Sequence, residues 1–116
     1  MNFIPEIEFQ PKEVIRQFQE EKLREHIAYL QAYSPFYKRM FADHHINVAN
    51  ISSMNDLRHL PFTDKKDLQM HNWDFLCTPK NRIIDYITTS GTLGDPVTFA
   101  CTNSDLERLA YNEAIS

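Results

Sequence analysis

Glycine is nearly absent from this chain: only Gly91 and Gly94 occur among its 116 residues. Average usage of about 7% would give roughly eight at this length. Both glycines fall in one short stretch, residues 89–96, which reads T-S-G-T-L-G-D-P. A chain that concentrates its glycines in this way needs, at that point, a backbone conformation or a close approach that a Cβ atom would prevent. We therefore expect residues 89–96 to form a functional loop.

The loop is also rich in hydroxyl groups. Four of the five residues from Thr88 to Thr92 are Ser or Thr. Backbone N–H groups freed by glycine and small hydroxyl side chains can both donate to phosphate oxygens. The stretch lacks the Gly-Lys-Ser/Thr of a Walker A loop and the three glycines of a dinucleotide fingerprint. Composition alone leaves two interpretations open, a phosphate-binding loop and an ordinary hairpin turn.

Residues 1–80 are predicted to form helices without strands. Residues 1–10 are interpreted as an extended arm, because their apolar residues alternate weakly. Apolar residues then recur with helical spacing between charged ones. Helices are predicted from Pro11 to about Tyr33, from Ser34-Pro35 to near His44-His45, from Ser52 or Ser53 to His59, and from Asp64, capped by Thr63, to about Met70.

The character of the chain changes at residue 81. Residues 82–88 and 97–101 are rich in β-branched and aromatic side chains and predict two strands around the loop. Ser104 and Glu107 have capping-box spacing and predict a final helix that reaches the end of the sequence without a stop signal. A lone hairpin is marginal in water. We therefore expect an α+β fragment: a helical N-terminal region (1–80), then the truncated start of a larger α/β domain (81–116).

Charge and composition limit the function classes. The net charge of −4 argues against a nucleic-acid partner, since phosphate contacts need a basic surface. No apolar run is long enough to span a membrane, and the start is unlike a secretory signal. Cys77 and Cys101 are expected to be reduced thiols in a cytoplasmic protein. The histidines are scattered, so no metal site is predicted.

The loop from Thr89 to Pro96 resembles the phosphate-binding signature of the adenylate-forming superfamily, [ST]-S-G-T-[TS]-G-x-P-[KR]. Leu93 stands where that pattern has a hydroxyl residue, and Val97 where it has a basic one. The segments S-P-F-Y at 34–37 and L-P-F-T-D-K-K-D-L at 60–68, in this order before the loop, are similar to the phenylacetate–CoA ligase branch. The resemblance covers residues 14–116.

The resemblance implies that the parent enzyme activates a carboxylic acid, an aryl acid such as phenylacetate, with ATP and Mg²⁺ and then transfers it to coenzyme A. It implies that the ATP phosphates are bound by Thr89, Ser90, Gly91, Thr92 and Gly94. The family's catalytic lysine and metal-binding glutamate lie beyond residue 116, so no catalytic residue is assigned and the chain alone is expected to be inactive. In the family that the chain resembles, the N-terminal helices can contribute to subunit contacts, so the resemblance implies a homodimer as a candidate assembly. Two alternatives stay open: an adenylate-forming enzyme with another acyl acceptor, and a non-catalytic helical interaction module.

Overall fold

The computed structural model describes residues 5–89 and 94–115. The α-helices are α1 (Lys12–Tyr33), α2 (Pro35–Asp43), α3 (Lys65–His71) and α4 (Asn103–Ile115), and the strands are β1 (Asp85–Thr88) and β2 (Thr98–Cys101). Short 3₁₀ helices lie at Pro5–Phe9, Val48–Asn50, Met54–His59, Asn72–Phe75 and Lys80–Arg82. The predicted α+β class is confirmed, with helices first and a hairpin followed by a helix after them.

The junction between α1 and α2 follows the prediction from Ser34-Pro35. The Ser34 hydroxyl accepts a hydrogen bond from the Tyr37 N–H at 3.3 Å, which caps α2, and Pro35 occupies the first helical position. The same hydroxyl donates to the Asp74 carbonyl at 3.1 Å. Ser34 is completely buried, so this one side chain both starts a helix and joins it to a segment 40 residues away.

The main core lies between α1, α2 and the turns that follow them. Ile27, Phe41 and Ile51 are its buried centre. Half-buried apolar side chains surround it: Leu23, Leu30, Tyr37, Met40, Ile46, Val48 and Leu60. An aromatic group adjoins it, in which the Phe36 and Phe75 rings stack with centroids 4.0 Å apart. Helix α2 therefore helps to hold, through Phe36, the segment between α3 and the hairpin.

Three local predictions were wrong in detail. The part of residues 1–10 that is described contains a 3₁₀ helix at Pro5–Phe9 and is not fully extended. Helix α3 is capped by Asp64, not Thr63: the Asp64 carboxylate accepts from the Asp67 N–H at 2.9 Å. Helix α4 is capped by Thr102 with Asp105, not by Ser104 with Glu107: the Asp105 carboxylate accepts from the Thr102 N–H at 2.9 Å, and the Thr102 hydroxyl accepts from the Asp105 N–H at 3.4 Å. These reciprocal bonds satisfy two N–H groups at the start of the helix.

The hairpin is antiparallel, with Asp85 opposite Cys101 and Thr88 opposite Thr98. Strand β1 is shorter than predicted, because residues 80–82 form a 3₁₀ helix instead. All four residues of β1 are exposed, and Ile84 and Phe99 keep 57% and 46% of their surface in contact with solvent. The described sheet therefore carries apolar side chains that the described helices leave uncovered.

Among the helices of the described ranges, none has the length and apolar character needed to cross a membrane.

Candidate phosphate-binding site

The predicted phosphate-binding loop joins β1 to β2. Thr89 and Gly94, at its two ends, are described by the structure. Ser90, Gly91 and Thr92 were predicted to contact phosphate and lie outside the described residues. The structure therefore shows the geometry of the loop at Thr89 and from Gly94 onward.

Thr89 closes the base of the loop. Its N–H donates to the Val97 carbonyl at 2.8 Å, and its hydroxyl oxygen accepts from the Val97 N–H at 3.0 Å. Val97 is almost fully buried, with 2% of its surface exposed. A hydroxyl that accepts one hydrogen bond keeps its own proton to donate. The base of the loop is thus fixed by main-chain and side-chain bonds, while Thr89 retains a donor for a ligand.

Gly94 lies in a conformation that requires glycine. Its φ is +120°, a value that L-residues with a Cβ rarely adopt. A Cβ built at this position would lie 3.1 Å from Nε2 of Gln69, closer than ordinary van der Waals contact. The sequence prediction that this loop needs glycine for its backbone is therefore supported at Gly94 by both torsion and space.

Two side chains of the helical region bind the segment that leaves the loop. Gln69, on α3, donates from Nε2 to the Asp95 carbonyl at 2.8 Å. Asn72, directly after α3, donates from Nδ2 to the Thr98 carbonyl and accepts from the Thr98 N–H, both at 2.7 Å. The sequence interpretation missed both residues, because carboxamides 26 positions away from their partners leave no local pattern.

The described residues close to the hairpin offer no activated thiol. Burial raises the pKa of the Cys77 thiol, against a hydrogen bond with Ser34 that lowers it. Burial also raises the pKa of Cys101, and the nearby Asp105 and Asp85 carboxylates raise it further. Both thiols therefore stay protonated at neutral pH and are poor nucleophiles. Over residues 5–89 and 94–115, no three His, Cys, Asp or Glu side chains are grouped so that they could hold a metal ion.

A wide groove of about 960 Å³ runs beside the hairpin and is bounded by α1, by α4 and by the segment that follows α3. Tyr29, Trp73 and Phe99 are among its lining residues, and most of its lining is apolar. The groove is open to solvent and carries the uncovered side chains of β2. Its shape is that of a packing surface more than that of an enclosed small-molecule site.

Comparison with curated proteins relates the chain to one group of enzymes. It is 32% identical over 111 residues to the phenylacetate-coenzyme A ligase of Thermus thermophilus, an alignment that covers 95% of this chain. It is 27% identical over 99 residues to the protein of the same name from Pseudomonas putida, covering 84% of this chain. The chain spans 25% and 23% of the length of these relatives. No protein-family model matches it.

Solved structures give the same fold. A 2-hydroxyisobutyryl-CoA ligase, solved with 2-HIB-AMP and CoA in the thioesterification state, superposes with a TM-score of 0.85 at 25% identity. This match covers 95% of the present chain and 24% of that protein. An open conformation of the same ligase superposes with a TM-score of 0.84 at 23% identity, which supports the fold alone. The arrangement of helices and hairpin seen here is therefore shared with one part of a larger acyl-CoA ligase.

Proposed function

We propose that this chain, a homologue of phenylacetate-coenzyme A ligases over 95% of its length, supplies the phosphate-binding loop of an adenylate-forming enzyme. That enzyme would join a carboxylic acid to ATP, release pyrophosphate, and pass the acyl group from the adenylate to coenzyme A. The observation that carries the proposal is the glycine loop at residues 89–96, with the superfamily signature, in a chain of this ancestry.

The loop is suited to the charge that develops in adenylate formation. Negative charge accumulates on pyrophosphate as it leaves, and fixed donors near that position stabilise the transition state. In this proposal Thr89, Ser90, Gly91, Thr92 and Gly94 supply the donors to the ATP phosphates. Mg²⁺ enters with ATP as part of the substrate and neutralises phosphate charge. The bonds between Thr89 and Val97 support this role, since they hold the ends of the loop in place before ligand binds.

We assign residues 1–80 to a helical N-terminal region and residues 81–116 to the start of the adenylating domain. The exposed apolar residues Ile84, Tyr86 and Phe99 support this division, because a two-stranded sheet needs further strands or a covering layer. In the proposed enzyme the rest of the adenylating domain would cover them. The chain by itself is expected to bind phosphate weakly and to catalyse nothing.

An aryl acid is the proposed substrate class, and coenzyme A is the proposed acceptor. The names of the curated relatives support phenylacetate, whereas the solved ligase is named for an aliphatic hydroxy acid. The acid must therefore be tested with both classes. Coenzyme A in the ligand set of that solved ligase supports the acceptor, in preference to a different acyl acceptor.

A chimera tests the activity. The aligned segment of the Thermus thermophilus ligase is replaced by residues 1–116, and exchange of labelled pyrophosphate into ATP is measured with phenylacetate and with 2-hydroxyisobutyrate. We expect exchange with an acid present, followed by thioester formation when coenzyme A is added. We expect Gly91→Val to abolish the exchange, because a branched side chain would block approach of the phosphates to the loop backbone.

The matched control is Asn55→Ala, an exposed residue remote from the loop, which should leave exchange unchanged. Full exchange activity in the Gly91→Val chimera would contradict the assigned role of the loop. In parallel, inorganic pyrophosphate is titrated into the 116-residue chain and followed by amide NMR. Absence of any shift in the loop amides at millimolar pyrophosphate would count against phosphate binding by this chain.

A further inference from the structure

We propose that Gln69 and Asn72 are positioning residues that hold the exit of the loop in the conformation that binds phosphate. This inference rests on the proposed function for its consequence, while the conformational part stands on the contacts alone. The two carboxamides form a bridge from the end of α3 to the hairpin, which we call the carboxamide clamp. Neither residue belongs to the glycine loop or to its signature.

In the carboxamide clamp, the two side chains and their two main-chain partners have the same spacing along the sequence. Gln69 and Asn72 are three residues apart at the C-terminal end of α3, a spacing that brings side chains to one face of a helix. Their partners, Asp95 and Thr98, are also three residues apart, on the strand side of the loop. The end of the helix therefore grips the chain at two points, one just after Gly94 and one at the first residue of β2.

Asn72 satisfies both main-chain groups of Thr98. Its carboxamide donates to the carbonyl and accepts from the N–H at 2.7 Å each, the pattern that a neighbouring strand would provide. Thr98 pairs with Thr88 on its other side, where the two hydroxyls lie 3.0 Å apart. The first residue of β2 is thus fixed from both directions, which a two-stranded hairpin cannot achieve by itself.

Gln69 acts closer to the glycine. Its Nε2 donates to the carbonyl of Asp95, and the same atom lies where a Cβ at position 94 would make a 3.1 Å contact. The peptide after Gly94 is therefore held against α3, and the positive φ of Gly94 directs the chain from the loop onto that contact. Ordering a loop before its ligand arrives reduces the entropy lost on binding. The clamp should therefore raise phosphate affinity without touching phosphate.

The test uses the 116-residue chain and inorganic pyrophosphate as the probe. Gln69→Met and Asn72→Leu keep side-chain size and charge but remove the hydrogen bonds. We expect the amide shifts of Asp95, Val97 and Thr98 to move in both variants. Loss of one neutral hydrogen bond predicts a rise in the pyrophosphate Kd of up to about fivefold for Gln69→Met, and loss of two predicts a rise of up to about twenty-five-fold for Asn72→Leu.

The matched controls are Gln17→Met and Asn55→Leu, the same replacements at exposed positions away from the hairpin. A purely structural role would lower the melting temperature and leave the Kd of the folded chain unchanged, and that result would overturn the positioning role. If Asn72→Leu fails to fold, Gln69→Met, which removes one bond from a partly exposed residue, still decides the question. Unmoved amides in Gln69→Met would overturn the clamp itself. A wild-type chain that binds no pyrophosphate would contradict the proposed function and, with it, the affinity half of this inference, while the amide shifts would still decide the conformational half.

Discussion

Gly94→Ala is the substitution for which the structure gives the sharpest expectation. Two separate costs add at this position. A residue with a Cβ held at φ +120° is strained by about 1–3 kcal/mol. The new methyl group would also lie 3.1 Å from Gln69 Nε2, and displacing that side chain would lose its hydrogen bond to Asp95, worth about 1 kcal/mol.

The expected loss of stability is therefore about 2–4 kcal/mol, with the lower end reached if the loop rearranges to relieve the strain. The free energy of unfolding from urea titration measures it. The control is Asp95→Ala: this neighbouring residue already has a Cβ and an exposed side chain, so we expect a change of no more than about 0.5 kcal/mol.

A double-mutant cycle separates the two costs. Gln69→Ala alone should cost about 1 kcal/mol, and the double variant should cost less than the sum of the two single variants by about the same amount, because both lose the same hydrogen bond. Strictly additive costs would show that Gln69 and position 94 do not interact. A Gly94→Ala variant as stable as the wild type would refute both the torsion and the close approach described here.

Three further outcomes are expected. Ser34→Ala removes an N-cap and a buried donor to the Asp74 carbonyl, and should lower the unfolding free energy by about 2–3 kcal/mol. Ser104→Ala, at a residue that does not cap α4, should change the unfolding free energy little. Equal losses in the two variants would contradict the capping assignment. Burial raises the pKa of the Asp105 carboxyl, but hydrogen bonds from Thr102 and Arg108 outweigh this effect, so the net pKa lies below the ordinary 3.8. Ionised Asp105 therefore stabilises the fold above that pH. The difference in unfolding free energy between wild type and Asp105→Asn, about 1 kcal/mol at neutral pH, should disappear as the pH falls below 3.8 and through the folded pKa. Cys77 should react with iodoacetamide faster than Cys101, which is 7% exposed; mass spectrometry of a time course measures both, and faster labelling of Cys101 would contradict its burial.

The helices were predictable because their signals are local. Ser34-Pro35 started α2 where expected, since a cap and its N–H partner lie within three residues of each other. The same kind of signal failed by one or two positions at α3 and α4. Asp64 caps α3 where Thr63 was predicted, and Thr102 caps α4 where Ser104 was predicted. Local sequence thus predicts that a helix starts in each of these segments, but not which of several neighbouring polar residues caps it.

The site divides in a similar way. The loop at residues 89–96 was found from two glycines and a run of hydroxyls, because a backbone requirement restricts which residues can occupy each position. The predicted contacts of Thr89, Ser90, Gly91, Thr92 and Gly94 with phosphate stay predictions. The sequence did not indicate the roles of Gln69 and Asn72, because a carboxamide that hydrogen-bonds to main-chain groups can pair with a residue of any type.

The amino-acid sequence alone thus determined that helices come first, that a hairpin follows, and that glycine is needed in the loop of this hairpin. Those properties depend on torsions and hydrogen bonds between near neighbours in the chain. Tertiary structure decided which face of α3 meets the hairpin and which carbonyl Ser34 binds, 40 residues away. Such pairings are set by how the helices pack around Ile27, Phe41 and Ile51, and packing depends on the whole chain at once.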